Sequence, residues 1–163
     1  MKKLVVLLFM MLPLGLMAQD KIAFVNTNEV FSLMPENANI EKELVALNEQ
    51  YTAELKVMQD EMQRKTADYL AQQDSLTENI KLRRMQEIED IRTRIENFYP
   101  QAQEDMQKKQ NDLIQPVREK IQKAIRDVGE EKGYTYIIDP QVLLYFGNNA
   151  TDATPFVKAK LGL

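Results

Sequence analysis

The sequence predicts an α+β fold: a small β-sheet body carrying a long antiparallel α-helical coiled-coil hairpin. Three observations predict it. Short apolar runs of strand type sit near the two ends of the chain, KIAFVN at 21–26 and GYTYIIDPQVLLYF at 133–146. Between them lies a charged, helix-favouring stretch, with no Pro or Gly over residues 39–73. A turn signal, QQDSLTENI, interrupts that stretch near its middle.

The first twenty residues, MKKLVVLLFMMLPLGLMAQD, read as a secretory signal peptide over residues 1–18. Lys2 and Lys3 are its positive end. The apolar run Leu4–Leu16 is too short to span a bilayer comfortably, and Ala18 is a small residue before the expected cut at Ala18/Gln19; the alternative is an uncleaved membrane anchor. The mature chain, 19–163, has the length of one domain. Removing Lys2 and Lys3 from the 21 basic side chains leaves 19 against 25 acidic ones, a net charge of about −6. That balance argues against nucleic acid as a partner.

The chain has no His and no Cys. It therefore lacks the commonest general base, the commonest metal ligand and any thiolate chemistry. Gly129, Gly133, Gly147 and Gly162 are the glycines of the mature chain, and they form no phosphate loop. The expectation is a protein that is not an enzyme, with no catalytic residues, no metal and no cofactor.

In KIAFVN, Ile22 and Phe24 point one way and Ala23 and Val25 the other. Both sets are apolar, so both faces of this strand should be covered. Thr27 or Asn28 is the expected cap of a short helix that Pro35 stops. From about Asn39 to Gln73 one helix is expected. Its apolar stripe is Ile40, Leu44, Leu47, Tyr51, Leu55, Met58, Met62, Thr66 and Tyr69. The spacing repeats as 4-3-4, a period close to that of a straight helix. These 35 positions extend roughly 50 Å at 1.5 Å per residue.

Ser75-Leu76-Thr77-Glu78 fits a capping box that starts a second helix after a reversal near 73–77. A short loop makes the two helices antiparallel. The second helix carries Met85, Ile88, Ile91, Ile95, Phe98, Ala102, Met106, Leu113, Val117, Ile121 and Val128. Pro100 and Pro116 fall inside it and are expected to kink it, because the apolar pattern continues through both. Acid-before-base pairs four residues apart mark wet helix faces: Asp60–Arg64, Glu61–Lys65, Asp90–Arg94, Glu104–Lys108, Asp105–Lys109 and Glu119–Lys123. Gly133 suits a left-handed helix cap. Strands are expected at 134–138 and 142–146 about an Asp139-Pro140 turn. Thr154-Pro155 opens a short terminal helix.

Three short strands, 22–26, 134–138 and 142–146, would leave two open edges. Joining edges between copies of the chain closes a barrel. The expected body strands carry Ile22, Phe24, Val25, Tyr136, Ile138, Val142, Leu144 and Phe146. The body takes residues 19–38 and 110–163, and the helical prong residues 39–109.

The order of these pieces resembles the Skp/OmpH family of periplasmic chaperones across essentially the whole mature chain. The parts that carry the resemblance are KIAFVNTNEVF, the Leu-Ile-Gln-Pro-Val segment at 113–117, and Gly-Tyr-x-x-Ile-Ile-Asp at 133–139. The resemblance implies a homotrimer with a β-barrel body and three helical tentacles around a cavity. It implies periplasmic, ATP-independent holding of unfolded outer-membrane proteins. Well-known members are strongly basic, and this chain departs from them in being acidic.

Apolar residues off the coiled-coil stripe are the candidate client contacts: Val57, Leu70, Leu76, Leu82 and Tyr99. Lys81, Arg83 and Arg84 near the tip are either a weak contact with an anionic membrane surface or a solvated patch. The alternative function is a structural envelope or adaptor protein whose hairpin binds one folded partner. Two short motifs stand apart from these readings. Asn149-Ala150-Thr151 matches an N-glycosylation acceptor. Asp74-Ser75-Leu76 resembles an O-glycosylation acceptor used by some bacteria, although helix capping already explains Ser75.

Overall fold

The computed structural model describes residues 21–163, and the expected signal peptide lies outside the described residues. In chain order the elements are β1 (Ile22–Phe24), α1 (Thr27–Leu33), α2 (Glu36–Gln72), a 3-10 turn (Gln73–Ser75), α3 (Glu78–Lys132), β2 (Tyr136–Ile138), a second 3-10 turn (Pro140–Val142), β3 (Thr151–Asp152) and α4 (Thr154–Leu161). The chain divides into two compact units. One is Pro35–Pro116, and the other joins residues 21–34 to Val117–Leu163.

The unit built from the chain ends holds a three-stranded sheet in the order β2-β1-β3. Both pairings are parallel: Ile22, Ala23 and Phe24 lie beside Tyr136, Ile137 and Ile138, and Ala23 and Phe24 beside Thr151 and Asp152. The Val25 N–H donates to the Ile138 carbonyl (3.0 Å), and the Ala153 N–H to the Phe24 carbonyl (2.8 Å). A parallel pair needs a long crossover rather than a tight turn. Here the crossover from β1 to β2 is the whole of α1, α2 and α3.

β2 pairs with β1, the strand read from KIAFVN. The expected strand at 142–146 does not form. A two-residue hairpin turn needs residues with positive φ, and among the described residues only Gly133 and Gly162 have it. Pro140 instead begins a 3-10 turn, which the Asp139 carboxylate caps by accepting from the Gln141 N–H (2.9 Å). Val142, Leu144 and Phe146 therefore lie on a connection between β2 and β3. The third strand is Thr151–Asp152, which carries no apolar alternation to announce it.

Alternation along β1 sorts the sheet's two faces. Ala23 and Val25 are buried, while Ile22 is exposed and Phe24 half-buried. Ile137, in register with Ala23, stands against α3: a Cβ placed on Gly129 would lie 3.5 Å from the Ile137 Cδ1. On α3, Val117, Ile121, Ala124 and Val128 form one buried face at spacings of four, three and four. Val30, Met34, Ala153 and Val157 complete this core.

Capping differs from expectation by a residue or two. Asn26 caps α1, its side chain accepting from the Glu29 N–H (3.1 Å). Thr27 instead donates to Asp139. Ahead of α4 the Asp152 carboxylate accepts from the Thr154 N–H (2.8 Å). Thr154 is buried, and its hydroxyl accepts from the Asn26 N–H (3.1 Å). Lys160 pairs with Glu131, and the Lys132 ammonium lies 4.4 Å from the centre of the Phe156 ring.

The other unit is the helical hairpin. As numbers rise along α2 they fall along α3: Lys109 pairs with Glu43 (2.8 Å), Tyr51 meets Asp105 (3.3 Å), Arg94 meets Glu61 (3.8 Å), and Lys65 pairs with Glu87 (2.8 Å). The helices are therefore antiparallel and in register about a reversal at residues 73–77. Lys65, Arg94 and Lys109, expected to pair along their own helices, reach across to the opposite helix.

The expected stripe of α2 is the half-buried seam, from Leu44 through Tyr69, with Ile40 buried. On α3 the seam takes Ile88, Ile91, Ile95, Phe98, Ala102, Met106 and Leu113 but passes over exposed Met85. Half-buried Lys81 and Arg84 hold the turns below Ile88, where their long aliphatic stems can cover apolar surface. Tyr51 packs edge-on to Phe98, ring centres 5.8 Å apart. α3 runs unbroken through Pro100 and Pro116.

The reversal also departs from expectation. The Ser75 hydroxyl does not cap α3; it donates backwards to the Gln72 carbonyl (2.8 Å). Helix α3 starts from Thr77, whose carbonyl accepts from the Ile80 and Lys81 N–H groups (3.0 Å each).

Gly133 ends α3 as expected, at φ 65°. The Tyr134 N–H returns to the Gly129 carbonyl (3.0 Å) and the Gly133 N–H to that of Glu130 (3.3 Å), the Schellman pattern. Gly133→Ala should lower stability by about 1–2 kcal/mol, the cost of holding a side-chain-bearing residue in the left-handed region. Gly129→Ala, with room for its Cβ, should leave stability unchanged or raise it by about 0.5–1 kcal/mol. Urea midpoints at one fixed protein concentration check both. Equal effects at the two sites would refute the cap.

Candidate functional site

Two apolar surfaces are open to a partner, one on each unit, and each is described alone. On the sheet unit the surface is the face of β1 and β2 turned away from Ala23, Val25 and Ile137. Ile22 and Tyr136 on it are exposed, and Phe24 and Ile138 are half-buried. The β2–β3 connection adds exposed Val142, Leu144, Tyr145 and Phe146. Phe146 stacks on Phe24, ring centres 5.0 Å apart and tilted by 36°. Leu144 is 106% exposed, as open as in an extended chain. Val25, expected with this set, belongs to the opposite, buried face.

So many large apolar side chains on one small sheet face exceed the scattered exposure that is ordinary for soluble proteins. The unpaired outer edges of β2 and β3 border the same unit.

On the hairpin the apolar side chains are dispersed. Of the candidate contacts, Val57, Leu70, Leu82 and Tyr99 are exposed, and Val57 is 66% open. Leu76 is half-buried in the reversal. Val45, Ile80 and Met85 join the exposed set. Helical phase could have identified Val45, which lies off the α2 stripe. Met85 was hidden by its apparent place on the α3 stripe.

Each of these groups sits among charged side chains. Along α2, Lys56 and Asp60 pair (3.3 Å) on either side of Val57 and Met58; along α3, Arg92 lies near both Glu89 (3.6 Å) and Glu96 (3.5 Å). This surface presents small apolar points on a solvated background. The three basic residues near the tip are engaged with acids or packed: Lys81 pairs with Glu78 (2.9 Å), Arg83 with Glu87 (3.3 Å), and Arg84 is half-buried. The bond to Glu78 raises the pKa of Lys81 above its ordinary value.

Among the described residues no group of three His, Cys, Asp or Glu side chains is placed to hold a metal ion. No described helix is long and apolar enough to cross a membrane.

These features define a class: a charged α-helical hairpin inserted between the strands of a small parallel sheet that has one uncovered apolar face. Comparison with known proteins places the chain within it. A family model described as outer membrane protein (OmpH-like) matches residues 21–161, and the chain belongs to that family. Its relatives include the chaperone protein Skp of Pectobacterium atrosepticum, 29% identical over 140 residues that cover 84% of this chain and 82% of that one. The chaperone protein Skp of Photorhabdus laumondii is 30% identical over 142 residues, 84% of each chain. The crystal structure of an OmpH-like protein from Caulobacter crescentus shares the fold, with a TM-score of 0.75 at 13% identity over 88% of this chain and 85% of that one.

Glu87 is held by Lys65 across the seam and by Arg83 along its own helix. The hydrogen bond from Lys65, then its charge, lower the Glu87 pKa below 4.5. A carboxylate with a depressed folded-state pKa contributes stability that is present above its unfolded pKa and lost as pH falls through the folded value. Wild type should therefore be more stable than Glu87→Gln at pH 7, and the gap should close below pH 4.5. Urea midpoints from pH 7 to pH 3 check this. A gap that stays constant across the range would refute the cross-seam pair.

Proposed function

We propose that this chain is an ATP-independent holdase of the periplasm that binds unfolded outer-membrane β-barrel proteins and keeps them from aggregating before insertion. The observation that carries the proposal is the dispersal of exposed apolar side chains along a charged hairpin. Outer-membrane strands alternate apolar and polar residues and expose a lipid-facing band when folded. Before insertion they present many separate apolar points and unpaired strand edges. A surface of many weak contacts, with no deep pocket, suits such clients. The family membership and the relatives named as chaperones support the same reading.

In this proposal residues 19–38 and 110–163 form a body, and residues 39–109 the client-holding prong. Three copies assemble through the uncovered sheet face. Ile22, Phe24, Tyr136, Ile138, Val142, Leu144 and Phe146 are buried between subunits. Removing these side chains from water, at about 25 cal/mol per Å² of apolar surface, is the driving force for the association. Linking three prongs on one body raises avidity by about 10²–10⁴ over a single prong without any new contact. Weak individual contacts then allow release without nucleotide.

The mature chain should have the mass of a trimer in solution and, without nucleotide, should suppress aggregation of an outer-membrane barrel diluted from urea. Leu144→Asp should shift it toward monomer. The combined variant Val57→Ser, Leu82→Ser and Tyr99→Ser should remain trimeric and helical while protecting the client less. A wild-type monomer, or no protection at stoichiometric excess, would overturn the proposal. A saturable complex with one native protein and no protection of unfolded barrels would favour an adaptor instead.

A further inference from the structure

We propose that the reversal of the hairpin is a covalent modification site, where the Ser75 hydroxyl takes an O-linked glycan. Asp74-Ser75-Leu76 has the form of an O-linked acceptor used by some bacteria: an acid, a hydroxyl residue, then an aliphatic one. In this sequence Ser75 is the only Ser or Thr that directly follows an Asp. The Ser75 hydroxyl does not cap α3, which opens two residues later with the Thr77 carbonyl accepting its first N–H bonds.

The remaining role of Ser75 is small. Its hydroxyl makes one local bond, to the Gln72 carbonyl three residues back, on an exposed 3-10 turn. Asp74 and Ser75 are both exposed. Leu76 leaves the turn in extended geometry, φ −86° and ψ 146°. The acceptor thus sits at a loop tip, the kind of place where chains tolerate added groups.

Other hydroxyls are less suited. Thr52 and Thr66 donate to carbonyls four residues back within α2, and Thr154 is buried. The Thr151 of Asn149-Ala150-Thr151 is held in the β1–β3 ladder.

The donor is a sugar activated through a phosphate or diphosphate on its anomeric carbon. The Ser75 oxygen attacks that carbon. The new C–O bond forms as the bond to the donor's phosphate oxygen breaks. The phosphate leaves with the electron pair, and the serine proton passes to a base on the transferase. No oxidation or reduction is involved.

This proposal rests on the export reading above, and one mass measurement separates the two. The full chain is isolated from the envelope of its source cells and its intact mass recorded. The expected result is the mature chain carrying at least one sugar residue. The addition should be lost in Ser75→Ala and in Asp74→Asn and kept in Ser75→Thr, with helical circular dichroism unchanged in all three. A mature chain without sugar overturns the modification and leaves export standing. A full-length chain without sugar overturns both. Sugar that persists in Ser75→Ala overturns the assignment to this site.

Discussion

Two short parallel ladders on either side of Ile22–Phe24 hold the ends of this chain together. β1 has a partner on both edges, and neither β2 nor β3 touches any other strand in the sheet. Because β1 and β2 are parallel, the chain must return to its starting end between them. The helical hairpin is that return. The three residues of β1 therefore set where a connection of more than a hundred residues begins and ends. The backbone bonds at Val25 and Ala153 are flanked by the buried side chains of Ala23, Val25 and Val157. That burial, more than ladder length, stabilises so small a sheet, since short strands alone are marginal in water.

The two units spend their apolar residues differently. In the sheet unit one face buries Ala23 and Val25, and the other leaves Ile22 and Tyr136 exposed. In the hairpin Ile91 and, less completely, Ile40 are the buried apolar residues among those described, and the rest of the seam is half-buried. A two-helix seam has too few neighbours to cover more. Cross-seam ion pairs fix its register at modest gain, since exposed pairs contribute roughly 0–1 kcal/mol each. The same geometry leaves Val57, Leu82 and Tyr99 more than half exposed. Their exposure follows from the architecture, and the proposed holding function makes use of it.

The helical part was legible because periodicity over thirty or more residues outweighs local ambiguity. The stripe from Ile40 to Tyr69, the α3 stripe from Ile88 onward and the left-handed cap at Gly133 all appear where spacing put them. The sheet was legible only in part. β1 and β2 carry apolar alternation, whereas Thr151–Asp152 is a strand solely because β1 offers it an edge. Val142–Phe146 imitated a strand because its apolar residues look alike whether they pair within a sheet or lie on an uncovered face. Ser75 has the chemistry of a cap, and only the path of the reversal turns its hydroxyl back to Gln72. The candidate contacts Val57, Leu70, Leu82 and Tyr99 were visible as positions off the stripe. Met85 falls on the α3 stripe by spacing but is exposed, while Lys81 and Arg84 beside it, which no hydropathy pattern counts as apolar, are half-buried.

The central claim is that β1 ties the two ends of the chain into one cooperative unit. Hydrogen exchange of the intact mature protein, resolved at single amides, tests it most directly. The Val25 N–H, bonded to Ile138, and the Ala153 N–H, bonded to Phe24, lie on opposite edges of β1. They should show the same high protection and lose it together as urea is added, because neither edge survives without the strand between them. An Ala153 amide that exchanges far faster than that of Val25, or on a separate urea dependence, would contradict it.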